Sequence, residues 1–180
     1  MKIGIIAPSP VPFRIGGAEN LWWGLLSYLN QETEHHADLL KLPSREHSFW
    51  DLVDNYCQFS ALDVSHFDLV ISSKYPAWMV RHPRHVVYML HRLRGLYDTY
   101  DVHRSPLEPD VSHPEVASLV QFLMEYRGDA TRLDECFERL ERLRRTQDLP
   151  EDILVFPGPL IRKVVGFLDD AALSPQRIEK

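Results

Sequence analysis

The chain opens on a short unbroken apolar run, Ile3-Gly4-Ile5-Ile6-Ala7, the pattern of a strand buried on both faces of a parallel sheet. Between Pro8 and Gly17 come three prolines and two adjacent glycines, which exclude regular structure and predict a long, shaped loop. From Ala18 the period changes to that of a helix, with Leu21, Trp22, Leu25, Leu26 and Leu29 on one stripe. The alternation then continues. It predicts a strand over 37–42, a helix over about 50–59, a strand over 68–73, a short segment over 77–80 and a fourth strand over 85–90. Strands separated by helical periods imply right-handed crossovers, so this part reads as an α/β fold with an open, mostly parallel sheet and helices on both faces.

Beyond Tyr100 the pattern is helix-rich. Ser112 with Glu115 makes a capping-box signature, Val116, Leu119, Val120 and Leu123 form an apolar face, and Gly128 reads as the stop. Asp129 or Thr131 then opens a second helix with the stripe Leu133, Cys136, Phe137, Leu140 and Leu143, and Arg142, Arg144 and Arg145 suit the negative end of its dipole. The run 153–156 is too short to classify. A last helix carries Leu160, Ile161, Val164, Val165 and Leu168. Ser174-Pro175 is an N-cap with proline at the first helical position, so a new element starts close to Lys180 and a longer parent chain is expected.

Composition narrows the function. At 180 residues with 44% apolar and 26% charged positions, the chain has the makeup of one ordinary globular domain that needs no staple. A net charge of −6 is the wrong balance for a nucleic-acid binder, so any anion site must be local. Cys57 and Cys136 match neither a disulfide framework nor a zinc spacing, which favours a reducing compartment. The apolar start is too short and too broken by Gly4, Pro8 and Pro10 for a signal or a membrane span, so a cytoplasmic location is expected.

Candidate chemistry gathers at the carboxyl ends of the predicted strands, where ligands of open parallel sheets bind. Gly16 and Gly17 stand at the entry to the first helix. Adjacent glycines admit close backbone approach, and a helix N-terminus favours phosphate; the plain alternative is a turn needing positive φ. Glu19 in that first turn suits the dipole but would repel a phosphate unless it points away. His91 directly follows the fourth strand, where its imidazole can meet a hydroxyl or a phosphate, or serve as a structural residue. Lys74 and Tyr75 follow the third strand and are expected to line the same cleft. Arg92 and Arg94 can hold an anionic acceptor or stand as solvated charges. His82 and His85 flank Pro83, which breaks the helix a shared metal would require, so no metal site is assigned. Trp22 lies on the apolar stripe and reads as core. Sequences of the types G-x-G-x-x-G, G-x-x-x-x-G-K-[ST], G-x-S-x-G and H-E-x-x-H are missing, which disfavours dinucleotide dehydrogenases, P-loop NTPases, serine hydrolases and zincins.

The run Met1-Lys2-Ile3-Gly4-Ile5-Ile6-Ala7 leading to Gly16-Gly17-Ala18-Glu19, together with Tyr88-Met89-Leu90-His91-Arg92 and Tyr97-Asp98, resembles the N-terminal domain of a GT-B fold glycosyltransferase, most closely glycosyltransferase family 4. The resemblance covers residues 1–100 best and is fainter through 156–175. It implies one Rossmann-like half of a retaining transferase that moves a sugar from a nucleotide-diphosphate sugar to an acceptor hydroxyl, without an obligatory metal and with no cofactor beyond the donor. It further implies that Gly16 and Gly17 give N–H groups to the donor phosphates and that His91 contacts the transferred sugar. The expected partners are the nucleotide sugar, a glycan, lipid-linked or small-molecule acceptor, and a C-terminal domain. That second, donor-binding domain with its basic pair and E-x(7)-E motif is missing from this sequence. Residues 1–180 are therefore expected to be a single domain cut before its last strand, inactive alone and weak for sugar nucleotides. Two alternatives stay open: a noncatalytic binding subunit paired with a donor-binding protein, and a GT-B sugar-nucleotide epimerase. A flavodoxin-like regulator ranks last, because Asp68 lies at a strand's start.

Overall fold

The structure, a computed structural model, describes residues 1–10, 13, 15–101, 103 and 106–174. The loop positions Val11, Pro12 and Arg14 and the turn that Pro175 would open lie outside them. By its contacts the chain divides into two compact units, Met1–Glu46 with Asp54–Arg92, and His47–Val53 with Leu93–Lys180.

The first unit is α/β. Strands β1 (Lys2–Pro10), β2 (His36–Ser44), β3 (Leu69–Lys74) and β4 (His85–His91) form one sheet in the order β2-β1-β3-β4, every pairing parallel. Helix α1 (Gly17–Glu32) connects β1 to β2, and α2 (Phe49–Ser60) precedes β3. The central strand is buried from Ile3 to Ala7 as its composition predicts. Its odd-numbered residues Ile3, Ile5 and Ala7 join Trp22 and Ala37 in a core cluster, with Leu25, Leu26 and Leu29 of α1 packed against it. Leu21, expected on that stripe, is exposed at its rim. On the other face Gly4 makes room for Phe67, whose ring would lie 2.6 Å from a Cβ at that position.

One boundary differs instructively. Pro8, Ser9 and Pro10 belong to β1 and not to the loop, paired in register with Leu42, Pro43 and Ser44. The carbonyl of Lys2 accepts from Asp68 N–H on the β3 side at 2.8 Å, and that of Met1 from His36 N–H on the β2 side at 2.9 Å. Backbone alternation therefore turns the even-numbered residues of β1 toward β3, whose pairing ends at Ile6 with Ser72. The N–H groups that Pro8 and Pro10 lack point where the ladder between β1 and β3 has already ended, so no ladder bond is lost.

The second unit is helical: α3 (Arg94–Tyr97), α4 (Pro114–Glu125), α5 (Leu133–Arg145) and α6 (Pro159–Ala172), with short 3-10 turns at Ala130–Arg132 and Glu151–Leu154. The α4 cap is His113 and not Ser112: Glu115 N–H donates to His113 Nδ1 at 3.2 Å. Pro114 at the first helical position sets this register, with the cap one place before it. Asp129 caps the next turn as expected, accepting from Thr131 N–H, and Gly128 takes the left-handed conformation at φ +77°. On α5 the side chain of Arg139 hydrogen-bonds Glu135, and Arg132 joins it, holding that carboxyl below its usual range.

Burial among apolar neighbours pushes the Cys136 thiol up to about 12, whereas Cys57 is exposed. Thiolate is the reactive form. A disulfide reagent at mildly alkaline pH is therefore expected to modify one thiol per native chain and two in denaturant. Two rapid equivalents in the native state would contradict this burial.

Candidate functional site

Three strand ends set the geometry. In a parallel sheet the carboxyl ends of β1, β3 and β4 share one edge, and adjacent strands stand about 4.8 Å apart. Lys74 closes β3 and His91 closes β4, and the two are register partners across that edge. They are brought together by a register shift, because β4 spends four residues, Val87 to His91, where β3 spends two, Ser72 to Lys74. Without that irregularity His91 would fall beyond the end of β3.

Both side chains are half-buried. His91 Nδ1 lies 2.7 Å from the carbonyl oxygen of Arg92. A carbonyl only accepts, so Nδ1 carries the proton, and a neutral ring then offers Nε2 as an acceptor. Such a ring suits a sugar hydroxyl better than a phosphate oxygen. The Lys74 ammonium lies 5.9 Å from the centre of the Tyr75 ring, and Arg92 is half-buried beside His91 in sequence. Tyr75 itself requires correction. It is a core residue, 1% exposed and tilted against Tyr56 at 6.4 Å, so it does not line an open cleft with Lys74.

The glycine doublet departs from the positive-φ reading. Gly16 is the N-cap of α1 with an extended backbone, φ −139° and ψ −168°, which any residue adopts, so no positive-φ turn is present. Its N–H donates to Glu19 Oε2 at 3.0 Å, and Glu19 is buried. A Cβ at position 16 would sit 3.3 Å from that carboxylate oxygen, a tight contact with the end of the Glu19 side chain. Gly17 is exposed and meets nothing within 4 Å. Glu19 therefore does not point away. It occupies one of the amides that an anion would use and places negative charge at the helix start. The amides of Gly17 and Ala18, in the first turn, have no intrahelical acceptor. Glu three places after an N-cap was the signal for this contact, hidden because the cap is glycine.

His82 and His85 are held by hydrogen bonds within the sheet unit. His82 Nε2 donates to the Phe67 carbonyl at 2.9 Å, and its Nδ1 accepts from Arg84 N–H at 3.1 Å. His85 Nε2 lies 2.8 Å from the Ser72 hydroxyl. Arg94 pairs with Asp98 at 3.2 Å within the second unit. Trp22 is core, and its indole N–H donates to the buried Ser73 hydroxyl, a partner that the sequence pattern did not single out. Beside it lies an apolar cavity of about 150 Å³ under Tyr88, lined also by Ile5, Leu25 and Ile71. That is too small for a nucleotide sugar. A groove of about 530 Å³ in the second unit is large enough but carries Glu108, Asp110 and Asp152, the wrong sign for a diphosphate. Among the described residues no group of three or more His, Cys, Asp or Glu side chains is placed to hold a metal ion, and no helix is long and apolar enough to cross a membrane.

Comparison with protein-family models, with curated proteins and with solved structures finds no match for this chain.

Proposed function

We propose that this chain is the acceptor-side half of a glycosyltransferase that uses nucleotide-diphosphate sugars. The observation that carries the reading is the pairing of Lys74 with His91 across the carboxyl edge of a parallel sheet whose central strand leads to the start of α1. In the transfer, the bond from the sugar's anomeric carbon to the β-phosphate oxygen breaks, and the acceptor oxygen bonds to that carbon. The acceptor proton passes to the departing diphosphate or to water. His91 Nε2 accepts from a hydroxyl of the sugar, while Lys74, Arg92 and the Gly17 amide face the charge that grows on the diphosphate. Glu19 opposes that charge, which fits weak donor binding by this half alone and a need for basic groups from a second domain.

The test measures UDP or GDP release from UDP-glucose, UDP-N-acetylglucosamine and GDP-mannose by the protein translated from the complete reading frame. His91→Ala and Lys74→Ala are each expected to lower transfer at least tenfold, about 1.4 kcal/mol of transition-state stabilisation, with circular dichroism unchanged. Transfer that survives both substitutions, or release of no nucleotide by the parent protein with any donor and a mixed glycan acceptor pool, overturns the reading. Calorimetry on the 180-residue chain is expected to give dissociation constants of about 1 mM or weaker for the same donors.

A further inference from the structure

The two edges of the sheet are built differently. β2 carries Asp38, Lys41 and Pro43, and Asp38 is paired with Lys2 at 3.9 Å and His36 at 3.7 Å. Charges and proline on an outer strand are how folded proteins prevent edge pairing. β4 has neither. Its seven residues, His85-Val86-Val87-Tyr88-Met89-Leu90-His91, include no Asp, Glu, Lys, Arg or Pro. Four of them are exposed, Val86 at 48%, Tyr88 at 61%, Met89 at 42% and Leu90 at 36%, and among the described residues β4 has a strand on one side only. The carbonyl of Arg84 accepts from Val70 N–H, so the backbone groups of His85 and Val87 alternate to the open side.

The strand is close to a palindrome about Tyr88. Run antiparallel against itself, it sets His85 opposite His91, Val86 opposite Leu90, Val87 opposite Met89, and Tyr88 opposite Tyr88. Apolar side chains meet apolar ones at every inner position, and no like charges oppose. We propose that β4 of a second copy of this chain occupies the edge, antiparallel about a two-fold axis at Tyr88. Such a contact is isologous, and among the described residues the other outer strand is the charged β2, so association closes at a dimer and does not run on into a filament.

Sedimentation equilibrium is expected to give twice the 21.0 kDa mass of one chain, dissociating on dilution. Tyr88→Lys, at an exposed position, should leave a folded monomer, while Tyr28→Lys on the exposed side of α1 leaves the dimer intact. Amide exchange on the unmodified chain supplies a readout that needs no variant: protection of Val87 should rise with protein concentration. A chain that stays monomeric at millimolar concentration, a folded Tyr88→Lys chain that still dimerises, or Val87 protection indifferent to concentration overturns the proposal.

Discussion

Replacing Trp22 by alanine is expected to lower the unfolding free energy by about 3–5 kcal/mol, a large share of the 5–15 kcal/mol typical of a folded domain. The ring is 1% exposed and stands at the centre of the cluster that ties α1 to β1 and β2. Three losses combine. The indole's apolar area is no longer buried, its N–H no longer donates to Ser73, and the space it vacates adjoins the cavity of about 150 Å³ already present. A void so enlarged collapses poorly, which puts the cost high in the range. Trp22→Phe keeps most of the volume and removes the donor, leaving the Ser73 hydroxyl buried, and is expected to cost about 1–3 kcal/mol. Urea unfolding followed by far-UV circular dichroism gives both values. Equal midpoints for wild type and Trp22→Ala would mean that α1 is not anchored through this ring. Because α1 begins at Gly17, loosening it also displaces the one helix start at the candidate site.

What the sequence made legible, and what it did not, follows from the range of the signal. Periodicity is local, so the four strands and the principal helices were readable from alternations within ten or so residues, as was the burial of Ile3 to Ala7. Boundaries failed where a neighbour decided them. Pro8 and Pro10 look like breakers until the pairing of β1 with β3 is known to end at Ile6 and Ser72. Ser112 looks like a cap until Pro114, as the first helical residue, moves the cap one place later to His113. The site shows the same division. That Lys74 and His91 stand at the carboxyl ends of their strands was readable, although each was expected one place beyond the strand it in fact closes; that they are register partners depends on the extra residues of β4, which leave no mark in either strand's own pattern. Tyr75 and Glu19 were misjudged or left open because the sequence states residue type and not direction, and direction is what puts one in the core and the other against Gly16.

The glycines supply a sharper contrast within one chain. Gly158→Ala is expected to destabilise by about 3 kcal/mol, the upper end for overpacking. Gly158 is the buried N-cap of α6 with an extended backbone, φ −154° and ψ 170°, so no dihedral penalty arises from the new side chain. The cost is steric. A Cβ there would lie 2.5 Å from the Val155 carbonyl oxygen and 2.7 Å from Val155 Cγ1. A side-chain end can swing away from such a contact, but a backbone carbonyl moves only with the turn that carries it. Here that turn leads into a helix whose Leu160, Ile161, Val164, Val165 and Leu168 are all fully buried. Displacing it therefore strains the core of the second unit. Gly24→Ala is the counter-case: an exposed position inside α1 with nothing within 4 Å, where alanine relieves the entropy cost of glycine and should stabilise by about 0.5–1 kcal/mol. Denaturant titration of both variants reads the difference directly. Should Gly158→Ala unfold within about 0.5 kcal/mol of wild type, the ordinary range for an uncrowded surface change, the close approach of Val155 does not hold in solution.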